Sequence, residues 1–194
     1  MTLPDPHDVA AYDEELAKIW VVEPPPLQGR IEIRDYDPEW PRLYEREAAR
    51  IRSVLGDRIV RLEHAGSTSV PGLAAKPIID IVMELPDSSE EAAYLADMEA
   101  AGYVLVIREP EWFEHRVFKG PETNVNLHVF TAGSVEVERM LRFRDRLRAN
   151  PADRDLYAKT KRDLAARDWK YMQQYADAKT DIVYEIMARA EAAG

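Results

Sequence analysis

Along this chain the spacing of apolar side chains switches between every second residue and every third or fourth, and the switches mark its elements. Alternation in "RIEIRDY" (30–36) predicts a strand, and "RIVRLEHA" (58–65) predicts another. Between them Trp40, Leu43, Tyr44, Ala48, Ile51 and Leu55 fall at helical spacing. Asp37 and Pro38 are placed as N-cap and first-turn proline of that helix, and Gly56 as its terminator. "PIIDIVMEL" (77–85) is almost unbroken in its apolar character and predicts a buried strand. "SSEEAAYLADMEAAG" (88–102) has a serine cap, early acids and a terminal glycine, the signature of a helix. "YVLVIRE" (103–109), "HRVFKG" (115–120) and "NVNLHVF" (124–130) predict three more strands. After Gly133 the period is helical, and "NP" at 150–151 and "WKY" near 170 divide it into helices at about 135–149, 152–168 and 172–192.

These elements predict an α+β fold, a mixed β-sheet with packed helices followed by a helical C-terminal part. Residues 1–29 are expected to form an arm, with a short helix at 8–20 and a stiff "EPPPLQG" linker, since consecutive prolines fix φ and remove backbone donors. Residues 30–133 make the core, and 134–194 the helices packed on it as one folded unit. With 194 residues the chain is long enough for a single domain with a substantial interior.

Composition narrows the chemistry. There is no cysteine, which excludes disulfides, thiolate nucleophiles and cysteine-based zinc sites. The acidic N-terminus lacks the basic and then apolar pattern of a signal peptide, and no run reaches the roughly 18 apolar residues of a membrane span. A cytoplasmic protein with no membrane partner is expected. The net charge of -10 opposes a polyanion, so no nucleic acid is expected as partner, although a local pocket can still take a small phosphate.

One stretch concentrates the candidate residues, "HAGSTSVPGLAAKPIIDIVMEL" at 64–85. Gly66, Ser67, Thr68 and Ser69 offer backbone N–H groups, hydroxyls and close backbone approach, which suit a phosphate chain. The P-loop pattern is absent, and a plain turn is the competing reading. Asp80 interrupts the apolar strand, and on a strand it shares a face with Val82 and Glu84. Such acids suit a Mg²⁺ completed by substrate phosphates, or else are satisfied by backbone and arginine partners. Trp112 and Phe113 fall in a loop that could edge a pocket, with Arg116 beside them as a phosphate or carboxylate contact. His7 and His115 read as surface residues.

The block "HAGSTSVPGLAAKPIIDI", followed in order by "NLHVFTAGS", "LRFRDRLRANP", "YAKTKRDLA" and "YADAKTDIV", resembles the GrpB family, a branch of the nucleotidyltransferase superfamily with a polymerase-β-like core. The likeness runs over about 30–192. It implies that Gly66 and Ser67 open a nucleotide-phosphate loop and that Asp80 is the first metal-binding acid. The second acid position is Val82 here, and the third falls near Asn126 and His128. The family usually has this single acid on the strand, and commonly "HLHV" where this chain has "NLHV". The implied ligand set is Asp80 with His128, extended by His64 or Glu84, for Mg²⁺, Mn²⁺ or Zn²⁺. His128 is either the second ligand or a general base. Lys76 matches the family as a phosphate contact or an ion-pair partner of Asp80, and Arg144, Lys161 and Lys179 match positions that could close over phosphates.

Three functions follow from the resemblance. The first is metal-dependent transfer of a nucleotidyl group from ATP to an unknown small-molecule or protein acceptor. Another is a non-catalytic nucleotide-binding or regulatory module, like domains fused behind dephospho-CoA kinase. The third is a metal-dependent hydrolase or ligase using Asp80 and His128.

Overall fold

The computed structural model describes residues 8–192, so His7 lies outside the described residues. Its strands are β1 (Arg61–Ala65), β2 (Ile79–Leu85), β3 (Val104–Glu109), β4 (His115–Lys119) and β5 (Val125–Thr131). They form one mixed sheet in the order β1-β2-β5-β4-β3. β2 and β5 run parallel at its centre, and the remaining pairs are antiparallel. Around the sheet lie α1 (Val9–Ile19), α2 (Trp40–Leu55), α3 (Leu95–Ala100), α4 (Val135–Ala149), α5 (Pro151–Ala165), α6 (Met172–Asp177) and α7 (Thr180–Ala192).

Alternation along the strands builds a separate core on each face. Ile79, Ile81, Met83 and Leu85 of β2 join Leu127, Val129 and Phe118 beneath Ile51 and Leu55 of α2 and Met98 of α3. On the other face Ala65, Val82 and Phe130 pack against Val137 and Leu141 of α4. A strand covered on both sides needs apolar residues at consecutive positions, which is why β2 shows no clean alternation. Each such fully buried side chain stabilises the fold by about 1.5–3 kcal/mol.

Four expectations need correction. Residues 30–36 do not form a strand: Arg34 makes one bridge with Ala75, through bonds of 2.9 and 2.8 Å. Ile31 instead packs with Leu164, Trp169 and Tyr175, so this segment serves the C-terminal helices rather than the sheet. α2 begins at Trp40, because Asp37 spends its carboxylate on Glu39 N–H at 2.8 Å and closes a turn ahead of the helix. The expected helix at 88–102 shrinks to a 3₁₀ turn at Glu91–Ala93 and the short α3. Ser88 bonds the Glu114 carbonyl and Thr131 instead, and its own carbonyl takes the Tyr94 hydroxyl, so tertiary partners consume the first turn. The last expected helix divides into α6 and α7 around Ala178 and Lys179.

The expected arm is docked, with Tyr12 and Leu16 of α1 buried. Just beyond α1, Trp20 bridges Ile107 and Val21 N–H bonds the Val106 carbonyl at 3.0 Å, along the outer edge of β3. At the opposite edge Tyr44 and Arg144 donate to the β1 carbonyls of Leu62 and His64, at 3.1 and 2.9 Å. Among the described residues no helix is long and apolar enough to cross a membrane.

Candidate functional site

Gly66 follows β1 with φ 63° and ψ -171°, a conformation essentially restricted to glycine. The reason is visible in its neighbour: a Cβ at position 66 would lie 2.2 Å from Asp80 Oδ2. The loop backbone therefore rests directly against the carboxylate that interrupts β2. Ser67–Ser69 then form a single 3₁₀ turn. Within it Ser69 donates to the Gly66 carbonyl at 2.6 Å and Thr68 to the Ile78 carbonyl at 3.1 Å, so both hydroxyls shape the loop itself. Ser67 is different, since its oxygen accepts from Lys161 at 2.9 Å.

Asp80 sits opposite Asn126 in the parallel β2–β5 pair and accepts from its amide at 2.8 Å. The amide orientation is set from the other side, because Lys119 can only donate and does so to Asn126 Oδ1 at 2.5 Å. His128 Nε2 stands 4.0 Å from Asp80 Oδ1, and the two side chains are 22% and 27% exposed. Burial pushes the Asp80 carboxyl up, but His128, Asn126 and Lys76 outweigh it and hold it below the usual range.

His128 heads a chain that crosses three adjacent strands. Its Nδ1 lies 3.0 Å from His115 Nε2, and His115 Nδ1 lies 2.7 Å from a Glu109 carboxylate oxygen. A carboxylate only accepts, so His115 Nδ1 carries the proton. Burial pushes His115 down to about 4, which leaves it neutral near pH 7 with a lone pair on Nε2. His128 Nδ1–H then donates to that lone pair, which leaves Nε2 as the ring nitrogen turned toward Asp80. The surface placement expected for His115 is thus corrected, since it is 4% exposed. Its parity along β4 puts it on the face of Lys119 and His128, a relation that needs the strand pairing to be known.

Four lysines gather at this site from separate elements. Lys161 of α5 is buried, bonds Ser67 and the Ala74 carbonyl, and is pushed down to about 6 by burial and by Lys179. Lys76 is lowered to about 7 by burial and Lys179. Lys179 and Lys119 are lowered too, chiefly by burial. Lys76 and Lys179 flank the Tyr175 ring at 5.1 and 4.6 Å. Among the described residues Asp80 is the one carboxylate acting on all four.

The remaining candidates lie elsewhere. Glu84 points to the same side of the sheet but sits four residues, roughly 13 Å, along β2. It accepts from Gly133 N–H at 2.8 Å and pairs with Arg61 at 3.4 Å, which takes it out of the ligand set. His64 registers with Ile81 on the opposite face. Because Thr68 donates to Ile78, it accepts from His64 Nε2–H at 3.0 Å, and the ring stacks on Tyr44 at 4.8 Å. Burial lowers His64 to about 4, and its engaged nitrogen is no ligand beside Asp80. Arg116 shares the face of Phe118 and bonds Glu91 at 2.6 Å, so it makes no phosphate contact at Asp80. Arg144 bonds Glu63 and the His64 carbonyl and lines a different cleft, apart from the lysines. Among the described residues no three His, Cys, Asp or Glu side chains form a metal cluster. The one-oxygen, one-nitrogen pair of Asp80 and His128 suits an ion whose other positions come from a ligand's phosphates.

The family model described as "GrpB protein" matches residues 30–189, which include every residue just placed. UPF0157 protein BH1888 of Halalkalibacterium halodurans is 59% identical over 93% of this chain and 92% of its own length. The crystal structure of conserved protein GrpB from Enterococcus faecalis superposes with a TM-score of 0.67 at 30% identity, covering 82% of this chain and 99% of that one. A dephospho-CoA kinase of Mycobacterium bovis is 28% identical over 79% of this chain, a match spanning 44% of the kinase.

Proposed function

The chain belongs to the GrpB family, and from that premise we propose that it binds the phosphate chain of a nucleotide such as ATP and transfers a nucleotidyl group to an acceptor. The observation that carries this reading is the convergence of Lys76, Lys119, Lys161 and Lys179 on one carboxylate, beside a loop pressed against it at Gly66. Buried lysines in excess of acids favour a polyanionic occupant, whose phosphates would return them to their charged form. In this proposal Lys161 and Ser67 take the phosphates nearest the loop, with Lys76 from the segment ahead of β2 and Lys179 from the junction of α6 and α7 beside them.

In-line displacement at phosphorus needs positioning and charge neutralisation above all. In this proposal His128 Nε2 takes the proton from the acceptor hydroxyl or amine as the new bond to phosphorus forms and pyrophosphate leaves. His115 and Glu109 hold the imidazole in that tautomer. A Mg²⁺ or Mn²⁺ held by Asp80 and the ligand's own oxygens would add further charge neutralisation.

A second reading, a binding module without turnover, is favoured by Val82 and Asn126 standing where further acids would be. Lysines there could supply the cations unaided. The hydrolase or ligase reading is weaker, since His64 faces away and removes its third ligand. Calorimetric titration of ATP with Mg²⁺ and with EDTA separates these. Binding that needs metal and fails in Asp80→Asn supports transfer, equal binding in EDTA supports the module, and no binding by the native chain at millimolar ATP sinks both.

A further inference from the structure

On the outer edge of β1 a cleft of about 460 Å³ opens between the start of α2, the Ser69–Pro71 turn and helices α4 and α5. Neither Asp80 nor the four lysines line it. Its volume is that of a small-molecule site. One wall is aromatic, with Tyr36 and Tyr44, and the other carries Arg144, Arg148 and Arg154.

The three guanidiniums are compensated unequally. Arg144 is satisfied by Glu63, Asp145 and the His64 carbonyl. Arg148 spends Nε and Nη2 on the Ser69 carbonyl at 3.1 and 2.8 Å, and its one acid, Asp145, is a distant 3.4 Å away. Arg154 is half-buried, its guanidinium lies 3.9 Å from the position a Gly72 Cβ would take, and that guanidinium has no hydrogen bond or ion pair among the described residues. A half-buried guanidinium gives up hydration, and in a chain with ten excess acids its lack of a carboxylate is conspicuous. Guanidinium forks match planar carboxylates and phosphates, and tyrosine rings suit a flat partner. Glu45 and Glu63 also line the cleft and oppose a long polyphosphate, which favours a small ligand with a single anionic group.

We infer that this cleft is a second binding site, for a small molecule with a flat unsaturated body and one phosphate or carboxylate, the anion on Arg148 and Arg154 and the flat part against Tyr36 and Tyr44. The site stands independently of the nucleotide reading, because it shares none of the lysines. Phenyl phosphate titrated into the full chain by calorimetry tests it. Expected are saturable binding, a loss of about tenfold or more in Arg154→Gln, affinity within twofold of native in Lys161→Met, and weaker binding of inorganic phosphate. Arg154→Gln removes no side-chain hydrogen bond or ion pair among the described residues, so an unchanged unfolding midpoint is expected with it. The inference is overturned if the native chain shows no saturable binding, if Arg154→Gln binds like native, or if Lys161→Met is the variant that loses binding.

Discussion

Asp80 and Glu84 occupy the same strand and the same face, and they are satisfied in opposite ways. Glu84 meets fixed partners at the end of β2, Arg61 and the N–H of Gly133 in the turn from β5 into α4. Asp80 meets the amide of Asn126 and a histidine nitrogen at 4.0 Å, within a ring of lysines drawn from four segments. The first acid closes a loop, and its charge is consumed in doing so. The second is outnumbered by lysines whose charged form burial disfavours. An acid in an apolar strand is therefore informative through the balance of its surroundings, and burial alone says little.

The sharpest break in this contrast is expected at Gly66→Ala. The added Cβ meets Asp80 Oδ2 and the backbone angle is strained, so destabilisation of about 2–4 kcal/mol in urea unfolding is expected. A near-neutral result would mean that the loop does not rest on the carboxylate. Next comes Glu84→Ala, which strands the Gly133 N–H and should cost about 1–3 kcal/mol while leaving ATP affinity unchanged. Altered affinity there would erase the distinction between the two acids. Lys161→Met should weaken ATP binding by about tenfold or more, near 1.4 kcal/mol, without lowering the stability of the free chain. Should its stability collapse instead, the lysine is a structural partner of Ser67 and Ala74.

The smallest expected effect is on pH. With Lys161 lowered to about 6 and Lys76 to about 7, the unfolded chain binds more protons between those values and the usual lysine value of 10.5. Stability of the free chain should therefore rise as pH goes from 7 to 9, and Lys161→Met should flatten the slope. ATP affinity should fall across the same window, because binding recharges the lysines. Calorimetry in buffers of different ionisation enthalpy reads the accompanying proton uptake, and its absence would show that these lysines do not meet the phosphates.

Much of the sheet was legible because β-strands here are short, apolar and punctuated; Asp80 stood out as an acid in an apolar strand, Gly66 as part of a loop of small residues, and His128 through the family resemblance. What could not be read were relations across strands. His115 and Arg116 are neighbours in sequence, yet pairing sends one to His128 and the other to Glu91 on the far side. His64 and Asp80 both flank the loop, but a one-residue difference in register places them on opposite faces. The strand expected at 30–36 failed for a related reason. Alternation shows only that two sides of a segment differ, and Ile31 turns its apolar side to the C-terminal helices. Lys119 escaped notice because an ammonium at a strand end looks like ordinary surface until Asn126 and Asp80 are seen beside it.

The occupied borders of the sheet bear on how the molecule can associate. An unpaired strand edge is a template on which another chain can lay down its own backbone. At one border the Leu62 and His64 carbonyls are already taken by Tyr44 and Arg144, and at the other Trp20 and Val21 lie along β3. Growth of the sheet by adding a neighbour's strand is closed at these positions. Fusion to a larger enzyme, or crowding at high concentration, must then act through side-chain surfaces and helix faces.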